Sequence, residues 1–274
     1  TAANMSLNSG IWPGQESLKM LELKNISYKY PGDESNTVEE LSFSVERGSF
    51  HCILGVSGCG KSTIFRLING LLTPQNGRIF IENRDASALK MRCGYMPQKD
   101  MLLPWRSVGE NVALPLEISG RPGKRYSKRE RYELAGQALK EVGLSDCFDK
   151  MPDELSGGMR QRAAFARTML TGNELLLLDE PFSALDFLTR LSMQEWLLEQ
   201  WEHHNKTILF ITHDVDEALF LSSSVFVVEE TPITRLREIA VPLGYPRKRQ
   251  LLDKPEIIEL KNELINILRK QEKV

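Results

Sequence analysis

The chain has 274 residues, of which 41% are hydrophobic, and its 35 Lys and Arg against 37 Asp and Glu give a formal net charge of −2. That composition excludes wholesale disorder, and the charge balance excludes a general nucleic-acid binder, which needs a basic surface. Apolar runs such as residues 175–178 and 208–211 fall far short of the roughly 18 residues that cross a bilayer, so one soluble core with a smaller satellite is expected.

Residues 1–17 carry no signal-peptide or transit pattern and are read as an extension outside the core. Met20, Leu21, Leu23, Ile26 and Tyr28 lead to Pro31 and Gly32. Leu41, Phe43 and Val45 then alternate up to Gly48, which predicts two antiparallel strands. Phe50, Cys52, Ile53 and Leu54 predict a short buried strand. It ends in Gly55-Val-Ser57-Gly58-Cys59-Gly60-Lys61-Ser62-Thr63, and an apolar helix over 64–68 follows. The pattern is G-x4-G-K-[ST] in its required strand–loop–helix setting. Its glycines let backbone N–H groups curl around phosphates, Lys61 reaches the terminal phosphates, and the Ser62 hydroxyl suits Mg²⁺. A purely structural glycine turn is the competing reading.

From about Pro97 to Pro152 the strand pattern gives way to loops and helices. Met101, Leu102, Leu103 and Trp105 read as an exposed apolar group, suited either to a partner's helix or to a small local core. Arg121, Lys124, Arg125, Lys128, Arg129 and Arg131 form a basic run, read as a solvated helix entry with lipid headgroups as the weaker alternative. Ser156, Gly157 and Gly158 then open a helix whose first N–H groups and dipole make an anion site, or else a simple capped turn.

Four leucines at 175–178 predict an interior parallel strand ending at Asp179 and Glu180. Asp179 is placed for Mg²⁺ and Glu180 for polarising water, although two acids can also mark a return to solvent. Residues 207–212 predict a third buried strand ending at His213, which either meets a γ-phosphate or makes local hydrogen bonds. Four cysteines, Cys52, Cys59, Cys93 and Cys147, form no CxxC pair and no ligand spacing with histidine, so no structural metal and a reducing compartment are expected. Past Pro255, the apolar stripe Ile257, Leu260, Leu264 and Ile267 predicts an amphipathic helix that packs back on the core.

These segments in this order resemble the ATP-binding subunit of ABC transporters. Residues 155–161 look like the family's signature, residues 55–63 and 175–180 like its two nucleotide motifs, and residues 183–186 like its dimer-contact loop. The resemblance implies an α/β fold: a P-loop NTPase core with a parallel central sheet, an antiparallel β subdomain and a helical signature subdomain. It divides the chain into the extension, a cassette over 18–228 with the helical subdomain at about 97–168, and a segment over 229–274 ending in the amphipathic helix. It implies an ATPase using ATP and Mg²⁺. Glu180 would be the base, Lys61 the β/γ-phosphate clamp, and Gln98 and His213 would flank the γ-phosphate. Ser62, Gln98 and Asp179 would serve the metal.

The same resemblance places Tyr30 against adenine, a role for which Tyr28, two residues away on the expected strand, competes. Gly55, Ser57, Gly58, Cys59, Gly60 and Thr63 would line the nucleotide. Ser156, Gly157 and Gly158 would cover the ATP of a second copy in a head-to-tail dimer. The implied partners are that copy, a transmembrane permease docking near Met101 to Trp105 and, indirectly, a solute-binding protein, with no nucleic acid. The implied location is the cytoplasmic face of the membrane. Within the family, Gln98 followed by Leu103, Pro104 and Trp105 looks most like importers for nitrate, sulfonate and taurine. Exporter or lipid-transport cassettes and soluble non-transport ABC ATPases stay as alternatives. Ser222 to Ser224 and the Thr171-Gly-Asn173 turn depart from the importer pattern.

Overall fold

Alternating apolar residues build the first strands, and continuous apolar runs build the interior ones. The computed structural model describes residues 19–89, 93–118 and 126–271. The extension at 1–17 and the basic residues Arg121, Lys124 and Arg125 lie outside the described residues. β1 (Lys19–Tyr28) and β2 (Val38–Glu46) pair antiparallel, with Leu23 opposite Phe43 and Ile26 opposite Leu41. β3 (Phe50–Leu54) leads through the glycine loop into α1 (Lys61–Asn69), which Gly70 ends in a left-handed conformation. β4 (Asn76–Ile81) and β5 (Arg84–Asp85) complete a four-stranded sheet in the order β2-β1-β4-β5.

β6 (Gly94–Met96) precedes three helices, α2 (Val108–Ile118), α3 (Lys128–Glu141) and α4 (Gly157–Met169), which pack on one another. A capping box of Ser127 and Glu130 starts α3, and Ser156 caps α4 by accepting the Met159 N–H at 3.3 Å. β7 (Leu175–Asp179), α5 (Phe187–His204), β8 (Thr207–Thr212), α6 (Val215–Leu221), β9 (Ser224–Val228), β10 (Leu236–Ala240) and α7 (Pro255–Gln271) follow. The second sheet has the order β10-β9-β3-β8-β7-β6; five strands are parallel and β10 is antiparallel at the edge. This is the expected α/β, P-loop NTPase-like architecture.

The parallel strands are apolar on both sides because both sides are covered. Phe50, Cys52 and Leu54 of β3, Leu176 and Leu178 of β7, and Ile208 and Phe210 of β8 face a core shared with α2 to α7. Their alternates, Ile53, Leu175, Leu177, Leu209 and Ile211, face a second core with α1 and the antiparallel sheet. Each such buried leucine contributes about 2 kcal/mol relative to exposure. Register then fixes the working edge. Leu54 lies beside Thr212, and Asp179 beside Ile211, so the glycine loop, Glu180 and His213 all leave the same carboxyl-terminal edge.

α7 buries Ile257 and Leu264, and half-buries Leu260 and Ile267 against the same core. At its far end the Gln271 side chain accepts the Val56 N–H at 3.4 Å and donates to the Val228 carbonyl, touching the glycine loop from behind. A buried guanidinium, that of Arg247, fastens the preceding segment by donating to the carbonyls of Leu219, Phe220, Ser222 and Leu243. Among the described residues, no helix is long and apolar enough to cross a membrane.

Candidate functional site

The glycine loop takes its shape from backbone conformations that side chains resist. Gly58 and Gly60 have φ of 81° and 102°, and a Cβ on Gly60 would come within 2.8 Å of the Thr37 Cγ2. Lys61 is buried, and its ammonium donates to the Gly55 and Val56 carbonyls at 2.8 and 2.6 Å. The positive charge is thus drawn over the loop by the loop's own oxygens. α1 begins directly behind it with no acidic residue in its first turn, so the helix N-terminus stays positive. Ser57 and Gly58 are exposed at the crest, while the Cys59 side chain points into the core.

The Ser62 hydroxyl donates to Asp179 Oδ1 at 3.1 Å, joining the loop to the end of β7. Burial raises the Asp179 carboxyl above the ordinary range, the Ser62 hydrogen bond opposes that, and the neighbouring Glu180 charge reinforces it. A hydroxyl and a carboxylate oxygen at this separation are the hard donors that Mg²⁺ takes. One residue on, the Glu180 carboxylate is engaged at both oxygens: Gln98 Nε2 donates to Oε2 at 3.1 Å, and His213 Nδ1 lies 3.3 Å from Oε1. Gln98 and His213 are exposed, so the pair opens to solvent. The structure therefore brings Lys61, Ser62, Asp179, Glu180, Gln98 and His213 to one edge.

Ser156, Gly157 and Gly158 are placed elsewhere, at the exposed start of α4. Among the described residues, no hydrogen bond joins them to the glycine loop. The first bond within α4 runs from the Arg160 N–H to the Ser156 carbonyl, and the Ser156 hydroxyl caps the Met159 N–H, so the Gly157 and Gly158 N–H groups have no partner within the helix. Tyr30 requires a correction. The strand ends at Tyr28, and Tyr30 stands in the following turn rather than on the same strand face. Its ring packs edge-on against Tyr28 at 5.0 Å, and its hydroxyl lies 3.1 Å from Thr63 Oγ1 and accepts from Arg66. The apolar group beyond Gln98 also divides: Met101 and Trp105 are 62% and 72% exposed, whereas Leu102 is buried at 8% and Leu103 is half-buried. Asp100 accounts for this by accepting the Leu102 N–H at 3.1 Å and turning that side chain inward.

Several residues outside the two nucleotide motifs hold the site. Arg160 donates to Asp100 Oδ2 at 3.1 Å, and Arg167 donates to the carbonyls of Asp100 and Met101 at 2.6 and 2.7 Å. Asn111, fully buried, bonds the Leu103 N–H and the carbonyls of Leu103, Arg106 and Ser107, and so fixes the loop that displays Trp105. Glu217 accepts from Thr212 Oγ1 at 2.6 Å and from Gln194 at 2.9 Å, bracing the strand end before His213. Arg167, Asn111 and Glu217 are marked in the sequence only by polarity among apolar neighbours.

The ABC transporter family profile matches residues 38–183. The formylaminopyrimidine import ATP-binding protein ThiZ of Halalkalibacterium halodurans is 43% identical over 238 residues, covering 87% of this chain and 91% of that protein. The nitrate import ATP-binding protein NrtD of Synechococcus elongatus is 38% identical over 233 residues, 84% of each chain. Among solved structures, the dimeric post-hydrolysis state of the ATP-binding cassette MJ0796 bound to ADP and Pi superposes with a TM-score of 0.74. It is 28% identical and covers 82% of this chain and all of that one.

Proposed function

The chain belongs to the ABC transporter family of ATP-binding subunits, and from that premise we propose that it energises import of a small solute through a separate membrane permease. The activity itself is that of an ABC-type ATPase, ATP and water giving ADP and phosphate. One observation carries the assignment of roles: the Glu180 carboxylate, one residue past the Asp179–Ser62 pair, is held between Gln98 and His213.

In this reading Glu180 takes a proton from the attacking water as its oxygen bonds the γ-phosphorus and the bond to the β-phosphate oxygen breaks. Lys61 and the loop N–H groups balance the phosphate charge, and Gln98 and His213 orient the carboxylate and the water. Ser62 and Asp179 would hold Mg²⁺, with Gln98 beside them. When bound, that ion offsets charge on the phosphoryl oxygens. Tyr30 supports the adenine side from its turn.

A head-to-tail dimer supplies the rest. The exposed α4 start, with Ser156, Gly157 and Gly158, would cover the ATP of a second copy, because its first N–H groups have no partner within the helix and can take an anion. Met101 and Trp105 would meet the permease at the cytoplasmic face of the membrane, with a solute-binding protein delivering solute from the other side. The division of the chain at residues 17 and 228 belongs to the same reading.

The relatives ThiZ and NrtD are named for import of formylaminopyrimidine and of nitrate, which supports import. Nitrate, sulfonate or taurine is the solute class we assign. The test is the full chain reconstituted with its permease in vesicles, assayed for ATP hydrolysis and uptake with each of these solutes and its binding protein. Stimulated hydrolysis with inward transport is expected. Outward movement, or hydrolysis indifferent to all of them, overturns the import reading.

A further inference from the structure

Glu180 sits on a backbone that needs holding. Its φ of 48° lies in the left-handed region, which residues other than glycine keep only when surrounding contacts over-determine it. The Glu180 N–H donates to the Ile211 carbonyl at 3.0 Å. Its carbonyl accepts from Ser183, from both the N–H at 3.2 Å and the hydroxyl at 3.0 Å. The remaining contact comes from α4. Gln161, 4% exposed, donates through Nε2 to the Glu180 carbonyl at 3.1 Å and to Ser183 Oγ at 3.4 Å, while its Oε1 accepts the Ala184 N–H at 2.9 Å.

This side chain therefore spans the whole turn that follows the acid. α4 is also seated closely there, since a Cβ on Gly158 would meet Leu185 Cδ2 at 3.3 Å and the Ala184 carbonyl at 3.4 Å. The neighbouring Arg160 bonds Asp100, two residues past Gln98. Adjacent residues of one helix thus fasten both segments that meet in the Gln98–Glu180 hydrogen bond. We infer that Gln161 is the positioning residue for Glu180: it fixes the Glu180 peptide so that the carboxylate stays between Gln98 and His213. A buried glutamine needed only for folding would carry the same bonds without consequence for turnover. The inference rests on Glu180 as the base.

The experiment compares the full-length wild type with Gln161→Met, which removes both bonds, and Gln161→Glu, which keeps an acceptor for Ala184 N–H and loses the donor to Glu180. Steady-state hydrolysis is expressed per bound ATP, and amide hydrogen exchange is followed over residues 180–185. In Gln161→Met, kcat falls about tenfold, as expected for a small misplacement of the reacting group. KM for ATP stays within about twofold because the glycine loop is untouched. Exchange over 180–185 accelerates about tenfold. Gln161→Glu shows the kcat loss with smaller acceleration, and it carries the test if Gln161→Met does not fold. A folded variant that keeps wild-type kcat, a KM rising in step with the loss of kcat, or unchanged exchange overturns the inference. Faster exchange in the variants with no hydrolysis by the wild type would instead overturn the reading of Glu180 as base.

Discussion

The glycine loop and the Glu180 cluster lie on the same sheet edge but are built in opposite ways. The loop is one continuous stretch, and its lysine bonds carbonyls only five and six residues back. The Glu180 carboxylate is held from 82 residues before it, by Gln98, and 33 residues after it, by His213. A contiguous site inherits its geometry from local backbone conformation. An assembled site inherits it from strand register and helix packing, so its weak points lie far away in sequence.

The largest effect should come from the assembled site. Glu180→Gln removes the proton acceptor and leaves the loop intact, so kcat should drop about 10³-fold with ATP still bound and the nucleotide-loaded dimer accumulating. Steady-state ATPase assays and size-exclusion chromatography with ATP check this; undiminished hydrolysis would remove Glu180 from its role. Lys61→Ala attacks the contiguous site and should fail differently, at binding. Loss of a charged donor predicts about 10²-fold weaker ATP affinity by calorimetry, and unchanged affinity would dissolve the contrast between the two regions.

β3, the strand that presents the loop, carries an acid-sensitive side chain of its own. His51 is buried edge-on against Phe226, its Nδ1 has no hydrogen-bond partner among the described residues, and burial pulls its pKa from 6.5 down to about 4. Between those values the unfolded chain binds more protons than the folded one, so stability is present above pH 6.5 and is lost as pH falls toward 4. The full span is worth about 3 kcal/mol, and about 2 kcal/mol of it is lost by pH 5. His51→Phe should flatten this acid limb in denaturant titrations at pH 5 and 7. An equally steep limb in the variant would place the acid sensitivity elsewhere.

What could be read from the sequence follows the same division. The strands β3, β7 and β8 and the glycine loop were legible because uninterrupted apolar runs end directly in residues that phosphate chemistry requires. The stripe at Ile257 and Leu264 was legible from its helical period. Gln161 was legible only as the last residue of the signature stretch, because a glutamine three positions after a glycine pair shows no bracing role until α4 is laid against the turn at Ser183. Leu102 falls to the local-core alternative for a related reason: the neighbours Met101 and Trp105 are exposed, and only the Asp100 turn separates them. Tyr30 differed because the strand stops at Tyr28, a boundary that hydrophobic alternation does not mark. Arg247 gave no signal at all, since three of its four carbonyl partners are contributed by the end of α6 and the residue after it.

The meeting of Gln271 with Val56 bears on how the protein is handled at the bench. A purification tag or fluorescent fusion joined to Val274 starts four positions beyond a side chain that touches the glycine loop. Such an appendage can disturb nucleotide affinity with no change to any residue of the loop. Labels are better carried on the exposed face of α3, where Arg129 and Glu133 point to solvent.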